Sequence, residues 1–109
     1  MTIEKVLITP LPPDLEQVVT AFAAFVPEAR LLGETFPVSL LSEADELWFT
    51  LHAPRRIDHE AEARLLLAEP PPRIRWWTDV ALSAWHPEPG LLIMKALAEY
   101  LDGSLHDRA

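Results

Sequence analysis

The residues best suited to chemistry are four histidines, His52, His59, His86 and His106, in a chain with 17 acidic side chains and no cysteine. His59-Glu60 begins like the HExxH zinc helix, in which two imidazoles one turn apart reach the same ion, but Ala63 occupies the second ligand position. The remaining histidines are scattered, and a metal site needs a closed ligand set. Asp58-His59-Glu60 therefore reads as the solvated first turn of a helix. Ser83 and His86 form a local pair with no orienting carboxylate at a recognisable spacing, and no GxSxG elbow occurs. Gly33, Gly90 and Gly103 are too far apart to build a phosphate-cradling loop or a GxGxxG turn. Without cysteine there is no thiolate nucleophile, iron–sulfur cluster or disulfide framework. Glu43, Asp45 and Glu46 read as the solubilising charge of a loop. The sequence thus assigns no catalytic residue, no metal and no other cofactor.

A more informative group lies on strands. Arg73 to Ser83 alternates, with Ile74, Trp76, Thr78, Val80 and Leu82 on one face and Arg75, Trp77, Asp79 and Ala81 on the other. The same alternation in neighbouring segments adds Leu7, Trp48, Thr50 and His52 to the second face. Leu7, Trp48, Thr50, His52, Arg75, Trp77 and Asp79 are accordingly the candidate ligand or interface residues. Trp76 is assigned to the core, and Trp85 to the packing of the helix that follows.

Positioning that group requires an ordered chain, and the prolines supply the punctuation. Eleven prolines against three glycines cluster at Pro10 to Pro13, at Pro54, at Pro70 to Pro72 and at Pro87 and Pro89. Lys5 to Thr9 reads as a first strand. Asp14, with Gln17 three residues on, opens a helix whose Leu15, Val18, Val19, Phe22, Phe25 and Val26 make one apolar stripe. Phe36 to Leu41 and Leu47 to His52 read as an antiparallel hairpin. Asp58 caps a second helix that runs to about Glu69, where three prolines end it. Pro89 lies in the first turn of a third helix, with a stripe of Ile93, Met94, Leu97, Tyr100 and Leu101 and with Gly103 at its C′ position.

This order predicts a single α+β domain over residues 1–109, a ferredoxin-like βαββαβ sandwich with an additional C-terminal α-helix. Its four-stranded antiparallel sheet would have Val6 and Ile8 under the first two helices and Leu7 on the opposite face. The third helix would then fold over that opposite face as a lid, with a homodimer or a ligand pocket as the competing ways to cover it.

The net charge of −8 repels phosphate backbones and anionic membrane surfaces, which disfavours nucleic-acid and membrane partners. No apolar run approaches bilayer length and no secretory signal is evident, so a cytoplasmic protein is expected. The expected function is a non-catalytic protein-interaction or binding module. Its partner would be a second copy of the chain or another protein, and the acidic surface suits an inhibitor or immunity-like role against a basic one. The alternative is a small-molecule-binding protein or enzyme with a pocket between the sheet and the C-terminal helix.

Overall fold

A computed structural model describes residues 2–109. The chain runs β1 (Thr2–Thr9), α1 (Leu15–Phe25), β2 (Arg30–Leu32), β3 (Val38–Leu41), β4 (Leu47–Leu51), β5 (Arg55–Arg56), α2 (Glu60–Arg64), β6 (Trp76–Ser83), α3 (Pro87–Tyr100) and β7 (Ser104–Asp107). All seven strands join one sheet in the order β2-β3-β4-β6-β1-β7, with β5 also paired to β6. Every pairing is antiparallel.

The α+β class stands, but the ferredoxin-like four-stranded sandwich does not: the sheet has seven antiparallel strands. A ferredoxin-like sheet orders its four strands 4-1-3-2, which would set the Leu47–Leu51 strand β4 beside β1, whereas here β6 separates them. The cause is local. After Leu51 the chain bends through His52-Ala53-Pro54 and resumes as β5, so β4 and β5 pair in succession with the same strand. The His52 N–H donates to the Asp79 carbonyl at 2.9 Å and bridges the break. The second helix is one short turn, Glu60–Arg64, rather than a crossover running to Glu69. Its cap is His59 rather than Asp58, and the Glu60 carboxylate accepts the Ile74 N–H at 2.6 Å. After the excursion from Ile57 to Arg75 that carries this short helix, β6 returns antiparallel beside β4.

Each face of the sheet has its own apolar cluster. On one, Leu7, Val38, Leu40, Phe49, Leu51, Val80 and Leu82 pack under Val18, Ala21 and Phe22 of α1 and Ile93, Met94 and Leu97 of α3. Phe22 meets Phe49 edge-on, with ring centroids 5.5 Å apart. On the other, Val6, Ile8 and Trp77 pack with Ala63, Leu67 and Ile74. Leu7 does point away from Val6 and Ile8, but it lies beneath α1, so the expected assignment of faces is reversed for β1. Helices α1 and α2 lie on opposite faces. Helix α3 buries its stripe beside α1 and not over Trp77, which corrects the expected lid.

Helix α1 begins as expected, with the Asp14 N–H donating to Gln17 Oε1 at 3.4 Å. The C-terminal end of α3 departs from expectation in one respect. The left-handed residue is Asp102 (φ 56°), while the Gly103 N–H closes the helix on the Ala98 carbonyl at 2.7 Å. Gly103 is needed for a different reason: a Cβ there would come within 2.4 Å of the Ile8 carbonyl oxygen.

Candidate functional site

Trp77 is the centre of the α2 side of the sheet. The strand alternation turns its ring into the smaller cluster, where it is 1% exposed. Its indole Nε1 donates to Asp79 Oδ1 at 2.9 Å, a contact that two-residue spacing on one strand face allows. Arg55 of β5 lies directly opposite Trp77 in the ladder. Arg108 arrives from the far side, just beyond β7. Both guanidinium groups donate to Asp79, Arg55 at 3.4 Å and Arg108 at 3.3 Å. Both also sit over the Trp77 ring, with Cζ 5.9 and 5.6 Å from its centroid, within the range of cation–π attraction. One carboxylate and one indole therefore hold two cations.

Arg108 is held there by backbone as well as by charge. The Asp107 carbonyl accepts the Ala68 N–H at 3.0 Å, and the Ala109 N–H donates to the Leu66 carbonyl at 2.9 Å. His106 Nδ1 lies 3.0 Å from the Glu69 carbonyl, and its Nε2 lies 2.6 Å from Ser104 Oγ. The segment after α2 thus anchors the end of the sheet.

Beside the two arginines the surface forms an open depression of about 670 Å³, bounded by Glu4, Pro37, His52, Ala53, Arg55, Asp79 and Arg108. Thr50 lies on the same face and is bonded to Ser39, Oγ1 to Oγ at 2.9 Å. Of the residues singled out in the sequence, Thr50, His52 and Asp79 share this face with the buried Trp77, whose ring does not itself line the depression. Leu7 belongs to the opposite cluster. Trp48 is half-buried against that cluster, and a Cβ on Gly90 at the start of α3 would stand 3.0 Å from its carbonyl oxygen. Arg75 precedes β6, where its carbonyl accepts the Ile57 N–H at 2.8 Å and its side chain borders a proline-lined groove. Sequence reasoning missed Arg55 and Arg108, which sit at strands too short to show a period.

A second region lies at one end of the sheet. Because Phe49 is level with Leu82, the Ser42–Glu46 turn and residues 84–86 leave the sheet side by side. The start of β1 reaches the same end, with Thr2 opposite Ser83. Trp85 was expected to pack against α3; it is instead 89% exposed. The exposed side chains at this end of the sheet include Leu47, Ile3, Glu43, Asp45, Glu46 and Glu88, with Arg30 paired to Asp45. Trp76, assigned to the core from the sequence, is only half-buried.

Among the described residues no three His, Asp or Glu side chains converge as a metal site, and no helix is long and apolar enough to cross a membrane. No family model, curated protein or solved structure matches the chain.

Proposed function

We propose that this chain is a non-catalytic protein-binding module that docks a basic partner on the end of the sheet bearing Trp85. The observation that supports the reading is an 89% exposed tryptophan at the end of the sheet that also carries the exposed acidic residues of the β3–β4 turn. Tryptophan is among the side chains that most often anchor interfaces, and an exposed one gives up apolar contact with nothing in return. Sealing it in a partner's pocket removes about 200 Å² from water, a gross gain of about 5 kcal/mol before the costs of association. The net charge of −8 complements a basic surface and accelerates encounter with it.

The test places a photo-reactive amino acid at position 85 and, as a control, at Leu65, which is 79% exposed just after α2. Crosslinking in extracts of the source organism should trap one basic protein from position 85 and not from position 65, with a yield that falls as salt rises. The same adduct from both positions, an adduct with a second copy of this chain, or a yield indifferent to salt would each refute the proposal.

A further inference from the structure

We propose that Arg55 and Arg108 form a binding site for a small molecule carrying a single carboxylate, seated in the depression beside Trp77. Two guanidinium groups converge on Asp79, each through one hydrogen bond of 3.3 to 3.4 Å, so most of the N–H donors on both forks are left for another acceptor. Their positions are set by the sheet: Arg55 by its ladder pairing with Trp77, and Arg108 by the backbone bonds of residues 107 and 109. Both Cζ atoms stand within cation–π range of the Trp77 ring, which favours this placement of the two forks. Planar forks held in this way match a carboxylate bidentately.

Charge selects the class of ligand. Two cations, Arg55 and Arg108, stand among two carboxylates, Asp79 and Glu4, so the site carries no net charge and an incoming anion is held by the free N–H donors of the two forks. Glu4 stands at the rim, bonded to Thr2 Oγ1 at 2.9 Å and paired with neither arginine, so it repels a second negative charge. A monoanion is favoured over a phosphate dianion. Pro37 and Ala53 offer an apolar wall for the body of the ligand, and His52 adds a polar group at its side. This site is separate from the end of the sheet that carries Trp85 and does not depend on the partner proposed there.

The test uses benzoate, with chloride at equal ionic strength and inorganic phosphate as comparisons. The Trp77 indole N–H, which donates to Asp79, is the reporter, read by 15N NMR and assigned with Phe variants of Trp48, Trp76 and Trp85. Benzoate should shift that resonance saturably and leave the Trp85 resonance unmoved. Arg55→Gln and Arg108→Gln should each weaken binding by about tenfold or more, as expected for removing one charge-assisted fork. Unchanged amide shifts across β1 and β6 would show that each variant remains folded, and Arg55, which lies outside the anchored segment, gives a second route if Arg108→Gln loosens β7. A shift that chloride reproduces, affinity unchanged in both variants, or phosphate binding more tightly than benzoate would overturn the assignment.

Discussion

Replacing Gly103 by alanine should separate the last strand from the sheet. The added Cβ would stand 2.4 Å from the Ile8 carbonyl oxygen and 2.8 Å from Thr9 Cγ2. Real Cβ contacts essentially never fall below 3.0 Å, so the backbones must part by about 0.6 Å at this point. Neither obstacle can swing aside, because one is a backbone atom and the other sits on a buried, β-branched side chain. Ser104 pairs with Ile8 immediately beyond the clash, so the displacement falls on the first rung of the β1–β7 ladder. Overpacking of this kind costs about 1 to 3 kcal/mol. The stiffer unfolded chain returns about 0.4 to 1 kcal/mol where the native backbone is compatible with alanine, so the net loss should be about 1 to 2 kcal/mol. Urea denaturation measures that loss as a lower midpoint at unchanged slope. Cross-strand NOEs between Ile8 and Ser104 report whether the rung survives. A midpoint within error of the parent, with those NOEs intact, would refute the argument.

Other substitutions test the two clusters and the reading of their faces. Phe22→Ala should cost about 3 to 5 kcal/mol, since the ring is 3% exposed and packs edge-on against Phe49. A loss below about 1 kcal/mol in urea would mean that α1 is wrongly faced. Thr78→Val should stabilise by about 1 kcal/mol, because the Thr78 hydroxyl is fully buried without a hydrogen-bond partner among the described residues and a methyl group of similar shape removes that penalty. A lower midpoint would show that the hydroxyl is bonded in solution. Trp85→Ala should leave stability within about 0.5 kcal/mol of the parent, as its ring packs on almost nothing. A loss above about 2 kcal/mol would place that ring in the fold instead of in an interface.

The elements that could be read from sequence are those with enough length to express a period. Leu15, Val18 and Phe22 mark α1, and the alternation from Trp76 to Ser83 marks β6, the strand that pairs on both sides along the middle of the sheet. The β3–β4 hairpin and α3 also fall where expected. What alternation cannot say is which helix covers which face. A strand apolar on both sides, such as Val6-Leu7-Ile8, fits either assignment, and the wrong one carried Leu7 into the candidate site. Strand order was lost for a different reason. Pro54 suggested an end, whereas the chain only bends there and continues along β6 as Arg55-Arg56. The candidate site was half legible: Asp79 and Trp77 lie on the long strand β6 and His52 directly follows β4, while the two arginines depend on a two-residue strand and on the chain beyond a four-residue one. Trp85 was misplaced because tryptophan beside a helix start is usually buried, and nothing in the local sequence marks it as unpartnered.

Apolar side chains on both faces of one sheet divide the molecule into two layers that share a wall. Leu7 and Val80 belong to the α1–α3 layer, and Val6, Ile8 and Trp77 to the α2 layer, yet all five come from β1 and β6. The α2 layer is the thinner of the two, with a five-residue helix and six buried apolar residues. Native-state hydrogen exchange should therefore resolve two steps. Amides of residues 57–67 and of β7, with the β1 amides bonded to β7, should exchange through a partial opening that leaves α1, α3 and the central strands closed, while amides of β6 and the β1 amides bonded to β6 wait for global unfolding. In that partly open form Arg108 leaves Asp79 and the indole of Trp77 meets solvent, so any molecule held between the two arginines would also hold the thinner layer shut.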